Sequence, residues 1–228
     1  MDGLEVTYGE AHWRLLEGLR AEALSMVRPL VAAHLEPIVY GSIARGDVNQ
    51  RSDVDIYVPR PPAPALLEAA LERGGVRLTS REIIQATPSY VAKAYLYTGE
   101  RRGYSYPLVD PRPSEAEFYS FAGALDHQGL LQGLRVPGVD KRLMLIEPTD
   151  AGHAESPVKG VEGAVAAKLG VDIRIVLERV RTLERRGRVG RTGVYLKREL
   201  SWDEDVSTVF MELAESRPAL RRRLRKRR

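Results

Sequence analysis

The sequence predicts a mixed α and β chain: an N-terminal domain of interleaved helices and strands, then a helical module. Three observations carry this. Apolar residues Trp13, Leu16, Leu19, Ala23, Met26 and Leu30 recur at helical spacing over residues 10–35. Two short apolar stretches, at 38–40 and 54–58, read as strands. Beyond a segment rich in Gly, Pro and polar residues, Pro148 to Gly163, the period turns helical again.

The long N-terminal helix ends before Pro37, and Ile38, Val39 and Tyr40 form a strand that leaves through Gly41-Ser42. After a short helix-compatible stretch, Val54, Ile56 and Val58 alternate with Asp53, Asp55 and Tyr57, so both carboxylates share one face of a second strand. Four prolines between positions 59 and 64 stop that strand; Ala65 to Arg73 is a helix closed by Gly74-Gly75. Tyr95 to Thr98 and Tyr104 to Leu108 flank Gly99 to Gly103 as a hairpin, and Ala116 to Phe121 and Arg142 to Ile146 are strand candidates.

Composition narrows the function classes. With 228 residues there is material for one large domain or two small ones. The absence of cysteine excludes disulfides, thiolate metal sites and a cysteine nucleophile. No apolar run approaches the roughly 18 residues of a membrane span, and the first ten residues lack a secretory pattern, so a cytoplasmic, non-membrane protein is expected. Net charge is +4, and the tail Arg217 to Arg228 carries seven arginines, one lysine and no acid. Such a block attracts polyanions, or is simply a solvated helix end.

The chemistry concentrates between positions 41 and 55. Transfer of a nucleotide from a triphosphate needs a loop that holds phosphates and cations that neutralise developing charge. Mg²⁺, with Mn²⁺ as a substitute, takes hard oxygen ligands, typically one or two carboxylates plus phosphate oxygens. Gly41 lets the backbone approach phosphate, Ser42 offers an amide and a hydroxyl, and Arg45 adds charge for phosphate contacts; Ser52 adjoins the acids. Asp53 and Asp55 are about 7 Å apart along one strand face, close enough to share metals.

The run Gly41-Ser42 through Arg45-Gly46-Asp47 to Ser52-Asp53-Val54-Asp55-Ile56 resembles the signature of the DNA polymerase beta nucleotidyltransferase superfamily, most closely its small prokaryotic members. The resemblance spans residues 38–58. It implies ATP or another nucleoside triphosphate as substrate, nucleotide contacts by Gly41, Ser42, Arg45 and Ser52, and Mg²⁺ on Asp53 and Asp55. It also implies a third carboxylate, both metal ligand and proton acceptor, from a neighbouring strand. Glu117 is the candidate, with Asp110 and Glu147 as rivals. His153 is a substrate contact or a surface residue, and Tyr95, Tyr97, Tyr104 and Tyr106 stack on bases or form a cross-strand ladder.

Residues 161–198 resemble a winged helix-turn-helix: a helix Gly163 to Leu169, a turn at Gly170-Val171, a helix Ile173 to Arg185, and Val189 to Leu196 as wing. Arg174, Arg181, Arg188 and Arg191 are its candidate phosphate contacts on RNA or DNA. The expected fold is α+β: a mixed nucleotidyltransferase sheet with flanking helices over residues 1–155, then a winged-helix-like module with the basic tail over 156–228. The expected activity is Mg²⁺-dependent transfer of a nucleoside monophosphate to a hydroxyl acceptor, with nucleic acid favoured. The alternative is a catalytically silent relative that binds nucleic acid as a regulator.

Overall fold

The computed structural model describes residues 3–190 and 193–224. In chain order the elements are β1 (Leu4–Thr7), α1 (Glu10–Ala32), β2 (Ile38–Tyr40), α2 (Ser42–Arg45), β3 (Val54–Tyr57), α3 (Pro64–Arg73), β4 (Ser80–Gln85), β5 (Ala92–Gly99) and β6 (Arg102–Pro107). Then follow α4 (Pro113–Ala122), β7 (Ala124–Asp126), α5 (His127–Leu131), β8 (Gly138–Val139), β9 (Met144–Thr149), β10 (Gly152–Pro157), α6 (Glu162–Leu169), α7 (Ile173–Val189), β11 (Leu196–Leu200), α8 (Val206–Ser216) and α9 (Pro218–Leu224). The protein is α+β, with a mixed sheet and flanking helices. No helix of the described residues is long and apolar enough to cross a membrane.

The elements around the motif lie where the apolar period puts them. α1, β2, β3, α3, the β5–β6 hairpin, α6 and α7 all match, with α7 continuing beyond Arg185. Residues 116–121 differ: they belong to helix α4, not a strand. Pro113 and Glu115 explain why, since proline is preorganised for a first helical turn and an acid there complements the helix dipole. The polar linker expected at 148–163 likewise contains strand β10, paired antiparallel with both β1 and β9.

The chain forms two compact units, and each is discontinuous in sequence, so the boundary expected at 155/156 is not observed. Position 156 lies inside β10, α6 and α7 belong to the first unit, and β11, α8 and α9 belong to the second. No separate module comprises residues 156–228 because the apolar faces of its helices are absorbed into two different cores.

The first unit spans residues 1–25, 38–54 and 113–192. It contains the antiparallel sheet β1-β10-β9-β8 and the antiparallel pair β2–β7. Its core gathers Phe121 from α4, Val139 and Leu145 from β8 and β9, Val165 from α6, and Ile175, Val176 and Val180 from α7. The residues expected to make a helix-turn-helix therefore do form two helices joined at Gly170, whose positive φ of 64° suits glycine. Leu196, the end of the expected wing, instead opens β11, which pairs with β4 in the second unit, and positions 191 and 192 of that wing lie outside the described residues.

The second unit spans residues 26–37, 55–112 and 193–228. Its strands run in the order β11-β4-β5-β6-β3. The register aligns Ile83 with Ala94 and Ala94 with Tyr106 on one face, and Glu82 with Tyr95 and Tyr95 with Ser105 on the other. The first row is apolar and buried, and in the second Glu82 and Ser105 are buried as well, so both faces of these strands are covered. Tyr104 and Tyr106 lie in that core, and the Tyr104 hydroxyl donates to Met26 O at 3.0 Å, so neither can stack on a base.

Packing within this unit is tight where α1 ends. A Cβ added at Gly74 would meet the Pro29 ring at 2.4 Å. Gly74→Ala should lower the unfolding free energy by about 1–3 kcal/mol in urea titrations. Gly187→Ala on α7, where a Cβ meets nothing within 4 Å, should be neutral or stabilising.

Candidate active site

The motif is a sequence of short-range devices. β2 ends at Tyr40, and Gly41 turns the chain with φ 80° and ψ −144°, a conformation other residues avoid. A Cβ here would meet nothing within 4 Å, so glycine serves the turn and leaves open space beside it. The Gly41 amide donates to Gly123 O at 2.8 Å, which anchors the turn to the start of β7. α2 is one helical turn that stops at Gly46, in the left-handed region.

The loop that follows returns the chain to the turn. Ser42 Oγ donates to Ser52 Oγ at 3.1 Å, and Ser52 Oγ also accepts from the Asn49 amide at 3.0 Å. The glycine-serine turn and the Ser-Asp-x-Asp stretch, ten residues apart, are therefore joined directly. Asp53 then enters β3, and Asp53 and Asp55 are partly exposed while Val54 and Ile56 are buried, as the alternation requires. Lys141 reaches within 3.9 Å of Asp53 Oδ2, but its side chain is 88% exposed, so the pair is loose and screened.

Asp55 opens the stretch of β3 that belongs to the second unit, on the polar face of that unit's strands. Burial first, then the charges of Asp55 and Glu82, push the Tyr95 hydroxyl well above its ordinary value, so it is a neutral phenol at physiological pH. Lys93 Nζ sits 5.3 Å from the Tyr95 ring and 5.9 Å from that of Tyr57. Tyr97 stacks beside Tyr95 and donates to Glu82 Oε1 at 2.6 Å.

Several expected roles are revised. Arg45 is no phosphate ligand: it is 5% exposed, its Nε and Nη2 donate to Asp47 at 3.0 and 2.8 Å, and its Nη1 donates to Ala122 O at 2.6 Å. All three guanidinium nitrogens are thus engaged by the protein itself. Glu117 is no strand acid: from helix α4 it accepts from the Asp172 amide at 3.1 Å, just ahead of α7. Glu147 on β9 pairs with Lys168, and Asp110 lies in the loop after β6, its carbonyl accepting from Arg223 at 3.2 Å. Among the described residues, no three His, Cys, Asp or Glu side chains stand together as a shared metal-ligand group. His153 is not a loop residue but a buried one on β10, its Nδ1 hydrogen-bonded to the Tyr8 hydroxyl at 2.6 Å.

Two residues on α1 complete the loop. Arg20, 8% exposed, donates to the carbonyls of Ile43, Ala44 and Leu134, at 3.1 Å, 3.4 Å and 2.6 Å for Nη2. His12 Nε2 lies 2.8 Å from Gly46 O. Together they hold the carbonyl end of α2. Burial, then the charge of Arg135, lowers the Arg20 guanidinium to about 10, still protonated at neutral pH. The sequence did hold a signal, since Arg20 follows Leu16 by four residues and so interrupts the apolar stripe. Read as an exposed arginine, it leaves Leu19 to the core, whereas Arg20 is the more buried of the two.

Comparison with known proteins returned no matching family model, no matching curated protein and no matching solved structure. The reading of the site therefore rests on its residues.

Two substitutions separate scaffold from chemistry. Arg45→Met leaves Asp47 without its buried partner and should cost about 3–5 kcal/mol in chemical denaturation. Glu117→Gln retains an acceptor for the Asp172 amide, so it should cost about 1 kcal/mol or less and leave triphosphate affinity unchanged in calorimetry.

Proposed function

We propose that this chain is a divalent-metal-dependent nucleotidyltransferase, which binds a nucleoside triphosphate at Gly41–Asp55 and passes its nucleoside monophosphate to a hydroxyl acceptor: the acceptor oxygen bonds to the α-phosphorus, the α–β anhydride bond breaks, pyrophosphate leaves and the hydroxyl proton passes to solvent. The observation that carries this reading is the Ser42–Ser52 hydrogen bond, which ties the phosphate-type turn to the paired aspartates. Asp53 and Asp55 are the residues that would hold the metal. The donor set fits: two hard carboxylates at alternate strand positions leave the remaining coordination to phosphate oxygens and water, a usual arrangement for Mg²⁺. When bound, the metal would neutralise phosphate charge and act as a Lewis acid toward the transferring group.

The chain's own part is positioning. Gly41 keeps side-chain bulk away from the turn, Ser42 holds a hydroxyl at its mouth, and Arg20, Arg45 and His12 fix the backbone from behind. A preorganised turn binds phosphate without having to order first, which concentrates binding energy on the transferring group. The second reading, a silent nucleotide- and nucleic-acid-binding regulator, is favoured by one observation. Glu117 is engaged ahead of α7, and no third acid joins the pair among the described residues.

Because only two carboxylates are offered, metal and nucleotide should bind as a coupled pair. Calorimetry should show weak Mg²⁺ binding alone and strong binding with ATP present, and each ligand should raise the other's affinity by the same factor. Asp53→Asn and Asp55→Asn should each lower Mg-ATP affinity at least tenfold with the fold retained. Unchanged affinity in the folded double variant would sink the proposal. Incorporation of labelled nucleotide into a hydroxyl acceptor then separates the readings, since Mg-ATP binding with no transfer to RNA, protein or small-molecule acceptors selects the silent regulator.

A further inference from the structure

The first unit carries a second charged feature, on helix α7. Arg174, Glu178, Arg181, Arg185 and Arg188 are spaced three or four residues apart and so fall on one face. All five are exposed, and the opposite face carries Ile175, Val176 and Val180 into the core. The orientation of this stripe is thus fixed by burial of the other side.

Exposed arginines on the chain are of two kinds. Arg14, Arg60, Arg142, Arg174 and Arg198 are each paired with a carboxylate. Arg181 and Arg185 make no ion pair or side-chain hydrogen bond with the described residues, and Glu184 is taken up by Lys159. In the tail, by contrast, Arg221 and Arg223 donate to carbonyls of Ala214 and Asp110. Unpaired like charges on successive turns repel one another and weaken a helix. A polyanion would reverse the sign of that term.

α7 is also tied to the nucleotide turn. Arg179 lies 5.1 Å over the Phe118 ring, and Phe118 and Tyr119 on α4 meet Tyr40 edge-on, one residue before Gly41. Glu117 holds the amide that precedes α7. The stripe and the turn therefore share one packed unit.

We propose that Arg181, Arg185 and Arg188 grip the phosphodiester backbone of a nucleic acid, which α7 presents as the acceptor; the word acceptor rests on the nucleotidyltransferase reading, while the grip does not. Seven residues of helix rise about 10 Å, over which one strand of a duplex offers about three phosphates, one for each guanidinium. Arg174 contributes less, since Asp172 already holds it at 2.6 Å. Arg191 lies outside the described residues.

The test uses the full chain, a labelled single-stranded RNA and a labelled DNA duplex of about 20 base pairs, read by fluorescence anisotropy across roughly 50 to 200 mM salt. The wild type should bind at least one probe, with log affinity falling linearly against log salt. Arg181→Gln/Arg185→Gln/Arg188→Gln should flatten that slope by about 2 to 3 and lower affinity at least tenfold at the lowest salt. Mg-ATP affinity, measured in parallel, should not change. Equal slopes for wild type and variant would overturn the proposal, as would equally tight binding of polyglutamate, which would indicate an acidic protein partner. A wild type that binds nucleic acid but not Mg-ATP would leave the grip standing and remove only the transferase reading.

Discussion

Arg45 sits with its guanidinium almost wholly out of water, where an unpaired charge would cost several kcal/mol, and the protein supplies what water would have given. Asp47 takes two of its donors and the carbonyls of Ala122 and Val139 face a third. Those carbonyls end α4 and lie in β8, so one side chain binds the Gly41–Asp47 turn to two elements far away in sequence. Arg20 repeats the device from α1 on the carbonyls of Ile43, Ala44 and Leu134. A four-residue helix has no stability of its own, and α2 persists because Arg20 and His12 hold its carbonyl end while its own Arg45 is anchored to α4 and β8.

That scaffold gives the neighbouring acids distinct tasks. Asp47 is committed to Arg45, whereas Asp53 meets a loose lysine among the described residues and stays partly exposed. Glu117 is spent on the entry to α7, which makes it a bracket between α4 and the basic helix. An acid that holds a backbone amide in place is a structural ligand, and the same residue cannot also stand among metal carboxylates on a strand. The engagement of Glu117 away from Asp53 and the attachment of α7 to α4 are thus two consequences of one placement.

The parts of this arrangement that could be read from the sequence are those set by local spacing. Gly41-Ser42, the Asp53–Asp55 alternation and the helical periods of α1, α6 and α7 depend on neighbours within a few residues, and the structure keeps them. What could not be read depends on long-range partners. The exception is local: Ala116 to Phe121 is apolar enough for either structure, and the helix start at Pro113, three residues before it, decides it. Arg45 and Arg20 look like surface arginines until carbonyls from positions 122, 134 and 139 close over them. Leu196 closes the expected wing, yet the strand it opens pairs with β4, more than a hundred residues earlier.

The central claim is that triphosphate and metal meet at the turn between β2 and β3. Hydrogen–deuterium exchange of the full chain, with and without Mg²⁺ and a non-hydrolysable ATP analogue at saturating concentration, tests it without any substitution. Peptides covering residues 41–55 should exchange more slowly in the complex, and peptides covering α8 and α9 should not change. Unaltered exchange across 41–55 while calorimetry shows the analogue bound, or protection confined to another segment, would contradict the account.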